Sequence, residues 1–333
     1  MKRLLFVIVA AAALWAGYWF VGSRAATAGF EHWFADRQAD GWVAENSGIH
    51  TRGFPSRFDT TILDLQLADP QTGVAYSAPF VQIFALSYKP GHLIAVWPQT
   101  QSFATPLGKA DIRSDDMRAS LIVEAATSAA LVRGNFAATN LVLEDARGQS
   151  VGAARLLMAV EQTPAAQNSY HFGIEATDLF VPQPGNLNLQ SGGLLPDTFE
   201  RARADITVQF DAPWDLNALQ TARPQPRQID VKLIEARWGQ LELRLAGALS
   251  VDMAGVPTGQ ITIKAQNWRD ILTLAVASGM MPSQLQRPIE QGLSLLAGLS
   301  GNTNSLDLPL DFANGRISLG PIPLGSAPRL ILR

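Results

Sequence analysis

Three hydrophobic patterns follow one another along the chain. The first is an unbroken apolar run from Leu4 to Val21, preceded by Lys2 and Arg3 and followed by Arg24. A bilayer core about 30 Å thick takes roughly 20 helical residues, so this run predicts a membrane-spanning helix, with residues 1–24 as a single-pass anchor. Leu4, Phe6, Val9 and Leu14 form its apolar body. Trp15, Tyr18, Trp19 and Phe20 crowd its far end, where amphipathic rings prefer the headgroup level. The basic pair on the short side places the N-terminus in the cytoplasm and exports the remainder of the chain. A cleaved signal peptide is the rival reading, because Ala26-Thr27-Ala28 before Gly29 is a small-x-small site. The length of the run and its bulky aromatic end favour a retained anchor.

The second pattern is helical and amphipathic. Phe30, Trp33 and Phe34 recur at i, i+3, i+4 with Glu31, Asp36 and Arg37 between them, which predicts a juxtamembrane helix within 25–46 that ends near Gly41. Its low basic content favours packing on its own domain over lying on anionic lipid.

From Gly53 the period changes to two. Leu63, Leu65 and Leu67 point one way while Asp64 and Gln66 point the other, as a half-buried strand requires. Asp69-Pro70-Gln71-Thr72-Gly73 then turns the chain. Alternating leucines followed by an acidic residue and a glycine return at Leu141 to Gly148, Leu249 to Gly255 and Leu308 to Gly315, at unequal intervals. That spacing predicts a meander of antiparallel hairpins, not a fixed-period repeat. Leu241, Leu243, Leu245, Leu249 and Val251 keep one face apolar over eleven positions, a strand about 35 Å long.

Pro182 to Leu195 is a loop by composition, read either as a domain boundary that divides the exported part into 47–190 and 191–333 or as a long surface loop within one continuous sheet. A helical pair is expected over about 267–298. Asn267 caps a first helix through Trp268, Ile271 and Leu272, with Gly279 as its stop. Pro282 opens a second helix carrying Leu285, Ile289, Leu293 and Leu296, which Pro288 should kink or split. The fold class is therefore α+β, predominantly antiparallel β, as a long curved sheet or a sandwich.

Composition removes several functions. The 333 residues contain no cysteine, so disulfides, thiol nucleophiles and Cys-ligated metals are out. A net charge of −3, 17% charged residues and no basic cluster exclude a nucleic-acid partner.

Gly53-Phe54-Pro55-Ser56-Arg57-Phe58-Asp59, together with the closing stretch from Asp311 to Gly325, resembles domain-of-unknown-function family number 2125, membrane-anchored proteins of alphaproteobacteria. That family carries no activity or catalytic residues to transfer. The stretch Gly247 to Ile263 is also similar in cadence to hairpins of AsmA-like envelope proteins, which implies an anchored sheet with a lipid-accommodating groove.

Candidate chemistry is sparse. His32, His50, His92 and His171 lack metal-ligand spacing, and Asp115-Asp116 reads as a solvated turn. No nucleophile elbow, P-loop or dinucleotide fingerprint is present. Trp97, Trp214, Trp238 and Trp268 read as packing residues with an outward N–H, and Gly53-Phe54-Pro55 as a tight turn into the first strand. No catalytic, cofactor or metal residue is assigned.

An alternating sheet must cover its apolar face, and two short helices cover little of it. The expectation is thus a non-catalytic, periplasmic protein of the bacterial inner membrane that holds lipid acyl chains in an apolar β-groove. Its lining candidates are Leu63, Leu65 and Leu67 on one strand and Leu241, Leu243, Leu245, Leu249 and Val251 on another. The alternatives are an envelope scaffold that binds a periplasmic protein partner, and a hydrolase with an unrecognised site.

Overall fold

The computed structural model describes residues 1–164, 166–181, 196–277, 281–299, 303–320 and 322–332. The expected loop at 182–195, with the division at 190, lies outside these residues, as does the Gly279 stop. The side chains of Leu285 and Leu296 are likewise not described. Every strand pairing among the described residues is antiparallel. The fold is α+β and predominantly β. Contacts divide the chain into two units, 1–125 with 134–150, and 126–133 with 151–333.

Unit 1 begins with α1, Lys2–Ala39, a single 38-residue helix where two were expected. No proline or glycine pair interrupts the chain between the apolar run and the amphipathic stretch, so the hydrogen-bond ladder carries through Arg24. The helix ends at Asp40, and Gly41 takes the left-handed conformation (φ +86°), close to the predicted stop.

Beyond it, β1 (Val43–Glu45) and β2 (Gly48–Arg52) pair in turn along one edge of β3 (Arg57–Asp69). On the other edge of β3 runs β4 (Val74–Leu86). The free edge of β4 is shared by β5 (Lys89–Val96) at one end and β6 (Thr100–Thr105) at the other. Next come β7 (Gly108–Arg113), β8 (Asp116–Val123) and β9 (Leu131–Asp145); β8 pairs with β5, and β7 joins β6 to β9.

Unit 2 is the meander that the recurring leucine pattern predicts. Its strands are β10 (Ser150–Gln162), β11 (Ser169–Leu179), β12 (Phe199–Phe210), β13 (Pro226–Trp238), β14 (Leu241–Val251), β15 (Pro257–Gln266), β16 (Ser305–Ala313), β17 (Arg316–Leu319) and β18 (Ile322–Ser326). Each pairs with the next in chain order. The short α2 (Leu216–Gln220) precedes β13, and α3 (Trp268–Ala277) and α4 (Ser283–Leu299) lie between β15 and β16.

One device builds three of the four predicted corners. Asp69, Asp145 and Asp252 each accept backbone N–H groups of the following turn, from Gln71, from Arg147 and Gln149, and from Ala254 and Val256. The Thr72 hydroxyl and the Gln71 N–H hold the Asp69 carboxyl below its usual range. The fourth corner is instead a two-residue Asn314-Gly315 turn with both φ positive, the geometry a right-twisted hairpin prefers.

The helical pair forms where expected, with two differences. Asn267 has φ +55° and its Nδ2 donates to the Gln240 carbonyl at 2.6 Å, so its side chain ties the helix to the β13–β14 turn. Pro288 sits within an unsplit α4; it costs the ladder one donor. The pair lays Trp268, Ile271 and Leu293 over Leu243, Ala265 and Leu306.

Two glycines let β14 and β15 approach. A Cβ on Gly247 (φ +151°) would sit 2.2 Å from the Gln260 oxygen, and one on Gly259 (φ +142°) 2.3 Å from the Ala248 oxygen. Neither backbone oxygen can move without breaking the ladder. Gly247→Ala is therefore expected to destabilise unit 2 by about 3 kcal/mol in denaturant unfolding, whereas Gly292→Ala, on α4 with open space around it, should stabilise by about 1 kcal/mol.

Glu235 on β13 is 8% exposed and lies between Arg237 and Arg244 with Glu242 beside it. Burial pushes its carboxyl up, but hydrogen bonding with Glu242 and with Arg244 and the two arginine charges outweigh that, leaving it below the usual range. A carboxyl depressed in the folded state contributes stability above its unfolded value, about 4.3, that is lost as pH falls through the folded one. Comparing acid unfolding of the wild type with Glu235→Gln should show a flatter acid limb for the variant.

Candidate functional site

The site with the most definite geometry lies in unit 1, where α1 runs along β3. Trp19, Phe58, Thr60, Ile62 and Leu65 mark the seam from one end to the other, the helix advancing from Trp19 to Phe34 as the strand advances from Arg57 to Leu65.

At its start the helix is held by hydrogen bonds from three rings. Trp15 Nε1 donates to the Pro55 carbonyl at 2.9 Å, Tyr18 Oη to the Ser87 carbonyl at 2.6 Å and Trp19 Nε1 to the Arg57 carbonyl at 2.8 Å. These residues were expected at the headgroup level, at the outer end of the anchor. Trp19 is instead 6% exposed, wedged between Phe54 and Phe58, and is a docking residue. Leu4, Phe6, Val9 and Leu14 stay exposed, and Phe20 stacks on Phe54 at 6.0 Å.

In the middle, small residues bring helix and strands together. The Phe58 ring occupies the space a Cβ on Gly22 would need. Thr27 Oγ1 shares hydrogen bonds with Ser23 O and Thr51 Oγ1, and Thr51 with Thr60, so this narrow polar seam is satisfied within itself.

Further along, the seam opens. Ala25, Ala26 and Gly29 face the strands with too little side chain to fill the gap, and Phe30 and Phe34 close its far side. The result is a groove of ≈ 490 Å³ whose floor is Ile62, Leu65, Leu67, Val81 and Ile83. A volume of this size and an apolar wall are typical of small-molecule sites. Packed against the same cluster, the half-buried Tyr76 hydroxyl, pushed up to about 12 by burial, donates to Gln101 Oε1 at 2.6 Å.

Leu65 and Leu67 thus line the groove, but Leu63 does not. Ile62 and Leu65, three residues apart, are buried in one cluster, so the inward phase of β3 changes between them. The cause is Asp64, held at φ +49° with its carboxylate accepting from Ser47 Oγ at 2.6 Å, where β1 gives way to β2. Simple alternation carries no sign of that slip; the sign was a Ser and an Asp able to hydrogen-bond, which sequence alone leaves unpaired. Ala25, Ala26 and Gly29 escaped notice for a related reason, because in a continuous apolar helix a gap looks like any other stretch of small residues.

The five candidates on β14 belong to unit 2. Leu241, Leu249 and Val251 are buried, Leu243 lies under the helical pair, and Leu245 packs with Leu249, Val231 and Ile261. Their common face is as predicted; it forms packed interior.

Unit 1 also holds a polar cleft of ≈ 460 Å³ lined by Asp64, Ser77, Ser102, Lys109, Asp111 and Arg113 among others. Ser102 Oγ donates to Asp111 at 3.0 Å, Lys109 lies 3.7 Å from Asp111, and Arg113 pairs with Glu144. Asp115 accepts from Asn140 and Asp116 from Arg118. His171 contacts Thr207 and Asp205, and among the described residues no three His, Asp or Glu side chains converge to hold a metal. The tryptophans pack with their N–H groups engaged at Trp238, to the Pro196 carbonyl, and at Trp268, to that of Thr303.

Among known proteins, a family described as an uncharacterised protein conserved in bacteria (DUF2125) matches residues 19–328. No curated protein and no solved structure matches the chain. The match begins at Trp19, the ring that docks the helix, and includes the whole groove.

Removing that ring should separate helix from sheet. Trp19→Ala is expected to cost about 3–5 kcal/mol and to raise hydrogen exchange across residues 53–58, measured by mass spectrometry on the full chain in detergent.

Proposed function

The chain belongs to the DUF2125 family, and on that premise we propose that it is a non-catalytic, membrane-anchored protein that holds a lipid acyl chain in the groove between α1 and the β3–β4 sheet. One helix, α1, is long and apolar enough to span a membrane. In this reading it crosses the inner membrane with its N-terminus in the cytoplasm and the bulk of the chain in the periplasm, following the basic residues at positions 2 and 3.

The observation that carries the reading is the continuity of the groove with the anchor. Ala25 and Gly29 are one and two helical turns beyond Val21, so an acyl chain leaving the bilayer alongside the apolar face of α1 meets apolar walls within about 6 Å. In support of a non-catalytic role, the charged side chains of the polar cleft are engaged in the fold, Lys109 with Asp111, Arg113 with Glu144 and Asp64 with Ser47.

A plug tests this. A Cβ on Gly29 meets nothing within 4 Å, so Gly29→Leu combined with Ala26→Leu fills the groove without displacing the sheet. Lipid extracted from full-length protein after mild detergent purification is then weighed by mass spectrometry. Annular lipid is common to both proteins, so a stoichiometric phospholipid present in the wild type and lost from the plugged variant supports the acyl site. Equal retention overturns it and turns attention to a protein partner. Truncation at Gly29 is a poor control, since it removes Trp19, Ser23 and Thr27 from the seam.

A further inference from the structure

The loop Gly53-Phe54-Pro55-Ser56, which carries the family resemblance, is not explained by the groove. Together with the Ser87-Tyr88 turn it forms the tip of unit 1 beside the apolar helix, the two loops tied by Ser87 N–H to the Ser56 carbonyl at 2.9 Å. Two large rings of this tip are exposed: Phe54 is 54% exposed and Tyr88 59%.

Two physical arguments bear on where the tip sits. The first is length. The part of α1 that precedes the docked rings, Lys2 to Leu14, measures about 20 Å, short of a core about 30 Å thick. If Val21 marks the outer edge of that core, Trp15 and the Pro55 carbonyl it binds lie about 9 Å inside it. The second is backbone chemistry. A loop can enter an apolar layer only if its polar groups are satisfied internally. The carbonyls of Pro55, Arg57 and Ser87 are satisfied by the three helix rings. Lys89, the exposed residue after Tyr88, has an apolar stem long enough to lie along the acyl boundary while its ammonium stays with lipid phosphate.

We propose that this tip is a membrane seat: Phe54 and Tyr88, flanked by Trp15, Tyr18 and Phe20, are immersed in the outer lipid layer, so unit 1 is held against the bilayer surface as a rigid continuation of its anchor. The proposal rests on the anchoring reading above. An immersion of about 5–10 Å is the range of interfacial elements, which agrees with the length argument. The seat also brings the groove, one to three turns up the same helix, close to the bilayer.

The absence of native cysteine makes the test direct. Phe54→Cys, Tyr88→Cys, Leu107→Cys and Phe6→Cys, each in the full chain, are labelled with bimane and reconstituted in phosphatidylethanolamine–phosphatidylglycerol vesicles with or without brominated acyl chains. Leu107 is 97% exposed at the β6–β7 turn, at the opposite end of β4, about 40 Å from the tip. Brominated lipid is expected to lower emission at 54, 88 and 6 about twofold or more, as for groups inside the acyl boundary, and to leave 107 unchanged. Emission at 54 and 88 that stays as bright as at 107, with 6 still quenched, overturns the seat while the anchor stands. Loss of quenching at 6 as well overturns the anchoring reading and the seat with it.

Discussion

Everything distinctive about this chain depends on the docking of one apolar helix along one strand. An 18-residue apolar window with a mean hydropathy of 2.2 would ordinarily leave the folded part free to swing on a tether. Here the same helix continues without a break to Ala39, and its indole and phenol groups are consumed by carbonyls of two turns. The apolar helix and the strands it docks on are therefore parts of one compact unit.

That seam divides its length by side-chain size. Rings fix it at Trp15 to Phe20, glycine and hydroxyl residues narrow it at Gly22 to Thr27, and the succession Ala25, Ala26, Gly29 opens it before Phe30 and Phe34 close it again. Helix residues three or four apart share a face, so a spacing of small and large residues along one stripe is enough to make contact, polar seam and cavity in order. The strand contributes its own change of phase at Asp64, which turns Leu65 and Leu67 inward where uninterrupted alternation would have turned them out. Groove and phase slip are thus parts of the same construction.

Unit 2 is built on different terms. Its described strands follow one another in chain order, with Asp252 setting the corner between β14 and β15 and Asn314-Gly315 that between β16 and β17, and its close approach is concentrated where Gly247 and Gly259 face opposing carbonyls. The helical pair covers the end of the sheet that holds Leu243, Ala265 and Leu306. What looked from β14 alone like a lining for lipid is packed interior.

By itself the sequence determined the apolar helix, the antiparallel meander, the corners at Asp69, Asp145, Asp252 and Asn314-Gly315 and the helical pair, because each is encoded by local periodicity or by turn residues with a fixed conformational preference. The α+β class follows from them. Only the tertiary structure decided that anchor and amphipathic helix are continuous, that Trp19 faces protein, that Leu63 lies away from Leu65, and that three small helix residues leave a groove. Each of these depends on what stands opposite a residue across a gap. Periodicity reports which face a side chain shares, and has no record of its partner.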